Sequence, residues 1–496
     1  MLLFLVSISP FALFLYLLLW KKLSLLWVSF LTCFFVFVLT AFLWQILPGL
    51  LYISFVKGFL IAFDIFIIIF GAIFFLQILK SLKIIDNIGL FLESFSKDYR
   101  VQVILLAWFL ENFLEGTAGF GTPAAVVAPI LLALGLPPLS AVIISLLGNS
   151  TAGVFGAAGT PIRVGFAGMN ISSIPTYTAA INCIGFLVPV FMIWTLASYQ
   201  KDRKSHFWEV FPFAVWAGIA FVVPSYIVVG LGQEFPSILG AIIGLILVYI
   251  TTRLGLFMPK NIRRLNEKSG EKATVPFYKI VIPYLLLILL LILGKLLIGT
   301  KGITLSFVKH TISFYNPGYA FIIAGLPVAF FWSKQKSLII DSAKTALKRS
   351  IGPFLVIVLL STMTQLMLNS GQNISGFLSS LEIIAQKFET ASLPFWSPFI
   401  GAFGSFITGS VTVSNIMFGN FLLIAGKALS LNTDKVLALE VVGAAAGNMI
   451  ALADMLAAQA IIGLRNKERQ ILKGVIIPCL IYVVLTGLIG LLIVKK

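Results

Sequence analysis

Residues 111–162 decide the fold. They read ENFLEGTAGFGTPAAVVAPILLALGLPPLSAVIISLLGNSTAGVFGAAGTPI. Two apolar runs, AAVVAPILLALGL and LSAVIISLL, lie between clusters of Gly, Thr, Ser and Asn, and each run is shorter than the about 20 residues that a membrane helix needs. Inside hydrocarbon every backbone N–H and C=O must be paired, so such clusters are tolerated only where they are buried in protein or line a watery cavity. The stretch therefore predicts broken membrane helices around a polar site.

The composition places this stretch in a polytopic membrane protein. Of the 496 residues 59% are hydrophobic and only 11% are charged, whereas a soluble domain is about 25% charged. A single soluble core does not grow beyond roughly 250–300 residues, so this much apolar surface must face lipid. At about 35–40 residues for each crossing and its loop, the length predicts an all-α protein with about 12–14 transmembrane or re-entrant helices.

The charge distribution predicts the orientation in the membrane. The 35 Lys and Arg outnumber the 18 Asp and Glu, which gives a net charge of +17. Most of the basic residues lie in short segments, as is typical of cytoplasmic loops; these segments are 80–100, 200–209, 253–272, 333–349 and 465–473. No basic segment is long enough, or rich enough in aromatics, for a nucleic-acid site. We therefore predict the lipid bilayer, and no nucleic acid, as a partner.

A second broken region lies near the C-terminus. FITGSVTVSN at 406–415 and GAAAGNMIALAD at 443–454 again interrupt short apolar arms. If the basic loops are cytoplasmic, the chain enters the first broken region from the cytoplasmic side and the second from the outer side. Similar broken regions entered from opposite faces predict two inverted-topology repeats.

This layout predicts four parts of the chain. Residues 1–100 hold the N-terminal spans and a connector at 80–100 that is either an amphipathic interfacial helix or a plain loop. Residues 101–199 form the first substrate-binding region with broken helices. Residues 200–349 are central scaffold spans with basic cytoplasmic loops, and 350–496 hold the second broken region and the last span.

The breaks supply neutral groups for a small anion. A half-helix N-terminus carries about half a positive elementary charge, so it binds a carboxylate without a buried Lys or Arg. Glycines let the backbone approach a ligand, and Thr, Ser and Asn side chains hydrogen-bond to it. The alternative is that these small residues only allow close helix packing. The predicted substrate-binding residues are Gly116, Thr117, Gly119, Gly121, Thr122, Asn149, Thr151, Thr408, Gly409, Ser410, Ser414, Asn415, Gly447 and Asn448.

Three acids in the apolar regions are candidates for ion coupling. Glu111 and Glu115 lie four residues apart, on one helical face, directly before the first break, and Asp454 follows Asn448 by six residues. A carboxylate at membrane depth is costly and is a functional hypothesis by default. Burial disfavours its charged form, so it exchanges a proton closer to neutral pH. An interfacial position for Glu111 and a helix-end position for Asp454 are the alternatives.

The remaining ionisable residues carry weaker signals. Arg163 either faces substrate or marks a helix end, and His206 and His310 are predicted to be solvated in loops. Cys33, Cys183 and Cys479 lie in apolar runs without metal spacing, so they are predicted to be small buried hydrophobes. The sequence thus predicts no metal and no cofactor.

Two stretches resemble a known family. ENFLEGTAGFGTPAAVVAPILLALGLPPLSA followed by GNSTAGVFGAAGTPI is similar to the central signature of the L-lactate permease (lactate/glycolate permease) family. FITGSVTVSNIMFGN, AAAGNMI and GLRNKERQILK resemble its C-terminal signature. The resemblance implies proton-coupled secondary transport of L-lactate or a related 2-hydroxymonocarboxylate (glycolate, D-lactate) by a multi-pass protein of a bacterial plasma (inner) membrane. It also implies, by analogy of layout alone, an elevator-like ion-transporter architecture.

The family motifs fall on specific positions of this chain. The EG pair falls on Glu115 and Gly116, GFG on 119–121, TGS on 408–410, SN on 414–415 and GNMI on 447–450. The chain departs from the family pattern at two places. Many members carry an acid directly after TGS, where this chain has Val411. Many also carry a Pro and a polar pair shortly after Met-Ile, where this chain has Ala-Leu-Ala at 451–453 before Asp454. Whether Asp454 replaces the missing acid stays open.

Other functions remain as alternatives. The missing acid after TGS allows a sodium-coupled carboxylate transporter. An integral-membrane enzyme is disfavoured because the chain has two His, few acids, no Walker sequence and no nucleophile elbow. A channel is disfavoured by the paired breaks. The sequence leaves open the substrate among lactate, glycolate and their relatives, the coupling ion and the oligomeric state, a homodimer included.

Overall fold

The computed structural model describes residues 2–21, 23–119, 122–169, 172–265, 275–299, 301–308, 310–333, 337–387 and 392–494. These residues form helices and a single antiparallel hairpin of β1 (Gly302–Leu305) and β2 (His310–Ser313). The prediction of an all-α protein is thus confirmed.

The N-terminal part and the first broken region contain eleven α-helices. The N-terminal ones are α1 (Leu2–Leu15) with a π-helical extension Tyr16–Trp20, α2 (Leu25–Val38) with another, Leu39–Leu43, α3 (Pro48–Ser81) and α4 (Ile84–Glu93). The first broken region holds α5 (Tyr99–Ile104), a π-helical segment Leu105–Leu110, α6 (Glu111–Thr117), α7 (Thr122–Ala133), α8 (Pro138–Gly148), a 3-10 turn Thr151–Phe155, α9 (Gly156–Gly165), α10 (Ile174–Ile181), a 3-10 segment Asn182–Leu187 and α11 (Val188–Ser198).

The central part and the second broken region follow. The central part holds α12 (Arg203–Trp208), α13 (Phe211–Val228) with a 3-10 turn Val229–Leu231, α14 (Pro236–Arg253), α15 (Phe277–Leu297) and α16 (Pro317–Trp332). The last part holds α17 (Ser337–Asn369), α18 (Ser380–Lys387), α19 (Leu393–Thr408), α20 (Val411–Ala428), α21 (Thr433–Gly447) with a 3-10 turn Asn448–Ile450, α22 (Leu452–Ile461) and α23 (Glu468–Ile493).

Many of these helices suit a membrane. Within the described ranges, 11 helical segments are long and apolar enough to cross a bilayer, and three shorter apolar helices accompany them: Leu2–Leu18, Pro123–Ala133 and Pro317–Trp332. The two groups together fall in the expected range of 12–14. The arms 99–117 and Leu393–Thr408 lead into the breaks from inside the protein. The chain is therefore a polytopic helical membrane protein.

The predicted breaks occur at the predicted places. Helix α6 ends at Thr117, α8 ends at Gly148, and α19 and α20 are separated by Gly409 and Ser410. Helix α21 gives way to a 3-10 turn that begins at Asn448. Because Gly, Thr, Ser and Asn favour turns and helix ends, local sequence explains each interruption.

The two broken regions follow the same order of elements and pack crosswise. Each is preceded by a long helix and a short one, α3 and α4 in the first half and α17 and α18 in the second. Helix α9 packs on α20 while α7 packs on α22, and α10 packs on α21 while α8 packs on α23. The long helices α3 and α17 are in close contact, since a Cβ on Gly58 would lie 2.3 Å from Thr362 Oγ1. The breaks therefore lie against one another in the interior.

Buried ion pairs tie together segments that the sequence predicts to be cytoplasmic. The Arg100 side chain is fully buried and donates to Asp98 Oδ2 at 2.8 Å and to Glu209 Oε2 at 2.9 Å. His206, in the same network, lies 2.9 Å from the Tyr99 hydroxyl, and His310 lies 3.2 Å from Asp64 Oδ2. Both histidines are buried. The prediction that they are solvated was wrong, because tertiary packing brings distant polar groups onto them.

Candidate functional site

A small cavity lies where the two broken regions meet. Its walls come from both halves of the chain: Glu115, Gly119, Gly153, Gly156, Ala157, Thr160, Pro161, Gly409, Ser410, Val411, Thr412 and Asn448. Its water-accessible volume is about 20 Å³, slightly more than the about 10–15 Å³ that one water molecule requires. Segments nearly 300 residues apart in sequence thus enclose one polar space.

The first-half wall is a left-handed turn. Ala157, Ala158 and Gly159 have φ values of 40°, 53° and 79°, a conformation that costs an L-residue with a side chain roughly 1–2 kcal/mol. Directly before this turn, a Cβ on Gly156 would lie 2.3 Å from Glu115 Oε1. The glycine therefore lets the backbone come against the carboxyl group of Glu115, and a side chain there would displace the wall or the carboxyl group.

The second-half wall is the N-terminus of α20. Gly409 ends α19 in the left-handed conformation with φ 69°, and Ser410 caps α20 by accepting a hydrogen bond from the Val413 N–H. The next residues, Val411 and Thr412, line the cavity. The first N–H groups of a helix have no acceptor within the helix, and the helix dipole adds partial positive charge. This end of α20 therefore presents partial positive charge to the cavity.

The three predicted acids form one buried cluster, of which Glu115 lines the cavity. Glu111, Glu115 and Asp454 are all buried, and they are close enough to interact electrostatically. Asn149 Nδ2 donates to Asp454 Oδ2 at 3.3 Å. Within the described part of the chain no Lys, Arg or His forms an ion pair with any of the three. A carboxylate buried without a cation is expensive, so this cluster favours bound protons or a bound cation.

Several predicted residues lie in the broken segments but face away from the cavity. A Cβ on Gly116 would lie 2.9 Å from the Ile238 backbone nitrogen, and one on Gly447 would lie 2.4 Å from the Ala402 carbonyl oxygen. These two glycines allow close helix packing, which was the alternative reading of the small residues.

Two threonines are also occupied elsewhere. Thr117 Oγ1 donates to the Phe113 carbonyl at 3.1 Å, and Thr408 Oγ1 donates to the Gly404 carbonyl at 2.8 Å. Such bonds to the preceding helical turn satisfy the hydroxyl where it is buried. Thr151 is buried against Gly185, where an added Cβ would lie 2.6 Å from its Oγ1. The hydroxyls of Thr117 and Thr408 therefore stabilise the helix ends, and none of the three threonines lines the cavity.

Two further predicted residues join α20 to other elements, Asn415 across the halves and Ser414 within the second half. Asn415 Nδ2 donates to the Pro161 carbonyl at 2.9 Å and so links α20 to the cavity wall of the first half. Ser414 Oγ lies 3.0 Å from Glu440 Oε1. Gly121 lies outside the described residues, and so does the side chain of Thr122.

Sequence reasoning missed Glu440, a further buried acid. It lies on α21, its side chain is fully buried, and its Oε2 has no hydrogen-bond partner among the described residues. The signal was present, because KVLALEVVGAAAG places one acid inside an apolar run. The cavity-wall residues Gly153, Ala157 and Thr160 were also missed, since only the turn after α8 brings them to the cavity.

Arg163 takes part in an ion-pair chain near the cavity. Its Nη1 lies 3.9 Å from Glu234 Oε1, Glu234 Oε2 lies 2.9 Å from Lys295 Nζ, and the guanidinium also donates to the Tyr315 carbonyl. These ion pairs join α9 to α15 and to the segment before α14. Arg163 thus anchors a helix end to neighbouring helices.

Comparisons with known proteins agree with this architecture. The L-lactate permease family matches residues 3–298 and 295–495. L-lactate permease of Streptococcus iniae is 27% identical over 69% of this chain and 73% of its own length. L-lactate permease of Escherichia coli K12 is 26% identical over 85% of this chain and 83% of its own, and the glycolate permease GlcA of the same strain is 25% identical over 86% and 83%. The family match spans the chain from end to end, and on this ground the chain belongs to the L-lactate permease family.

Proposed function

We propose that this protein carries L-lactate or a related small 2-hydroxymonocarboxylate, together with a proton, across a bacterial plasma membrane. The observation that carries the proposal is the cavity in which the α20 N-terminus faces Glu115, with walls from both broken regions. The names of the similar permeases, which specify L-lactate and glycolate, support this substrate class.

Each part of the substrate has a chemically matched partner in the cavity. The carboxylate binds the N–H groups at the start of α20, near Val411 and Thr412. The 2-hydroxyl group hydrogen-bonds to Asn448, whose Oδ1 has no partner among the described residues. Glu115 holds the proton, because a protonated carboxyl beside the anion avoids two like charges in a buried site. Glu111 and Asp454 adjust the charge of the same cluster.

The substrate enters only when the cavity walls separate. The water-accessible volume of about 20 Å³ is room for one or two water molecules, and a three-carbon acid requires more. We propose that the broken regions 101–199 and 350–496 move against the scaffold of 1–100 and 200–349, as in an elevator. The crosswise packing of α9 on α20 and of α7 on α22 supports an inverted repeat at the centre of this movement.

The test is a substrate panel in reconstituted liposomes with the proton and sodium gradients imposed independently. Labelled L-lactate, D-lactate, glycolate, acetate and succinate are offered inside and outside. We expect uphill uptake of the 2-hydroxymonocarboxylates that follows the pH gradient and ignores sodium. Uptake that follows sodium and ignores pH would replace proton coupling by sodium coupling. Uptake of succinate without lactate would overturn the substrate class.

A further inference from the structure

A large apolar crevice lies on the opposite side of α6 from the acid cluster. It has a volume of about 700 Å³, and its walls are α4, the π-helical segment Leu105–Leu110 with α6, α14 and α15. Its lining is almost wholly apolar. Ile246 and Leu285 line it and are 53% and 58% exposed, so the crevice opens sideways to the membrane.

The crevice is as deep as one leaflet of a bilayer. Along α14 it extends from Ala241 to Tyr249 and along α15 from Ile280 to Ile288. Eight residues of α-helix span about 12 Å, and one leaflet contributes roughly 15 Å of the hydrocarbon core. The end at Tyr249 adjoins the C-terminus of α14, where the basic segment 253–272 begins. The crevice therefore opens towards the cytoplasmic leaflet.

Basic residues surround the cytoplasmic end of the crevice. The Arg253 guanidinium lies 5.1 Å from the centre of the Tyr249 ring, and the exposed Lys97 follows Phe95, whose ring lies 4.7 Å from the Tyr249 ring. Lys279 directly precedes the lining residue Ile280, and its ammonium lies 6.0 Å from the centre of the Trp332 ring. The exposed Lys83, directly before α4, and the exposed Asp86 on α4 carry opposite charges that cancel. The rim is thus cationic, which attracts the anionic lipids of a cytoplasmic leaflet by about 1 kcal/mol per Lys or Arg.

One polar atom lies inside the apolar lining. The hydroxyl of Tyr284 is buried and has no hydrogen-bond partner among the described residues. Its ring packs edge-on against Phe113, with 4.6 Å between ring centres. A buried hydroxyl without a partner is costly, and the ester oxygen of a glycerophospholipid is an acceptor of the required kind.

We propose that this crevice binds one anionic phospholipid of the cytoplasmic leaflet. One acyl chain occupies the apolar space, and the phosphate lies at Lys97, Arg253 and Lys279. The acyl chain contacts Phe113, which lies between Glu111 and Glu115 on α6. A bound lipid therefore restrains the helix that carries these two acids. The inference does not depend on which substrate is transported.

The test uses the purified full chain in detergent with added phosphatidylglycerol or phosphatidylcholine of identical acyl chains. Native mass spectrometry counts retained lipids, and a thermal shift assay measures stabilisation. We expect one tightly retained phosphatidylglycerol and a clearly larger rise in Tm with phosphatidylglycerol than with phosphatidylcholine. Equal retention and equal rise in Tm for the two lipids would overturn the proposal.

Two variants locate the site. Lys97→Gln/Arg253→Gln/Lys279→Gln removes the basic rim, and we expect its affinity for phosphatidylglycerol to fall by about fivefold for each charge removed. Ile246→Trp fills the crevice from its exposed side, and we expect the retained lipid to be lost while the rim stays intact.

The matched control removes three charges elsewhere on the cytoplasmic face. Arg465→Gln/Arg469→Gln/Lys473→Gln lies just before and within α23, and we expect it to keep the preference for phosphatidylglycerol. If the control loses as much affinity as the rim variant, the fall in affinity for phosphatidylglycerol comes from the overall positive charge of this face. That result would reject the site. If the rim variant fails to fold, Ile246→Trp decides the question. Lipid retained by Ile246→Trp would equally reject the site.

Discussion

Two clusters of charged residues differ in how their charges are compensated. In the network around Arg100, this buried guanidinium is paired with Asp98 and Glu209, and Arg263 is paired with Glu209 and Asp202. Its acids and guanidinium groups therefore have partners of opposite sign. Such a network holds the segments 98–100, 202–209 and 261–263 together.

The acid cluster at the cavity has no such compensation. Glu111, Glu115 and Asp454 interact with one another and with Asn149, and both carboxyl oxygens of Glu111 lack hydrogen-bond partners among the described residues. A fold gains nothing from a buried acid without a partner. The difference indicates that the first cluster serves structure, and it is the reason why we propose that the second binds a proton or a ligand.

The largest expected effect comes from Glu115→Gln, which removes a carboxyl group from the uncompensated cluster. We expect proton-driven accumulation of lactate to be lost, lactate exchange to persist and thermal stability to stay equal or rise, because no ion pair is broken. Uptake and exchange in liposomes and the unfolding midpoint measure this. Glu468→Gln, at the start of α23, is the control. Wild-type accumulation would exclude Glu115 from coupling, and a large loss of stability would assign it a structural role.

The opposite result is expected for Arg100→Gln in the compensated network. Removal of Arg100 leaves the buried Asp98 without an ion-pair partner, while Glu209 keeps Arg263; breaking a buried pair costs about 3–5 kcal/mol. We expect a large fall in the unfolding midpoint in detergent, with coupling by the remaining folded protein unchanged. The exposed Arg203→Gln on the same face should be neutral. Equal midpoints for the two variants would show that the network contributes little to stability.

A smaller effect is expected from Gly156→Ala at the cavity wall. The added methyl carbon would lie 2.3 Å from Glu115 Oε1, so the wall or the acid must shift, at a cost of about 1–3 kcal/mol. We expect slower lactate uptake with the ratio of protons to lactate preserved. Gly352→Ala is the matched control, because nothing lies within 4 Å of its added carbon. Equal uptake by both variants would show that the backbone at Gly156 is not close to the transport path.

The smallest effect is expected from Asp202→Asn at the solvent edge of the network. The hydrogen bond from Arg263 lowers the pKa of Asp202 below its ordinary value. The folded pKa is thus below the unfolded one, so this contribution to stability is present at neutral pH and is lost as pH falls through the folded pKa. We expect the midpoint of Asp202→Asn to depend slightly less on pH between 7 and 3 than that of the wild type, at low salt. A steeper dependence in the variant would contradict this.

Part of the candidate site could be predicted from local sequence. Gly409 and Ser410 were predicted because a glycine in a membrane break lets the backbone approach a ligand and a serine there can hydrogen-bond to it, and Glu115 because a carboxylate at membrane depth is costly. All three line the cavity. Gly116 and Gly447 carry the same local signal, but they allow close packing of helices. Which face of a break is exposed depends on the neighbouring helix, and local sequence does not reveal that.

By itself the sequence determined that this chain is a polytopic helical protein with interrupted helices in two regions, because composition and turn-forming residues act locally. Only the tertiary structure decided which residues share the cavity, that Glu440 is buried beside Ser414, and that Ala157 adopts a left-handed conformation. These properties depend on contacts between segments far apart in sequence, and the energy of such a contact is not encoded in either segment alone.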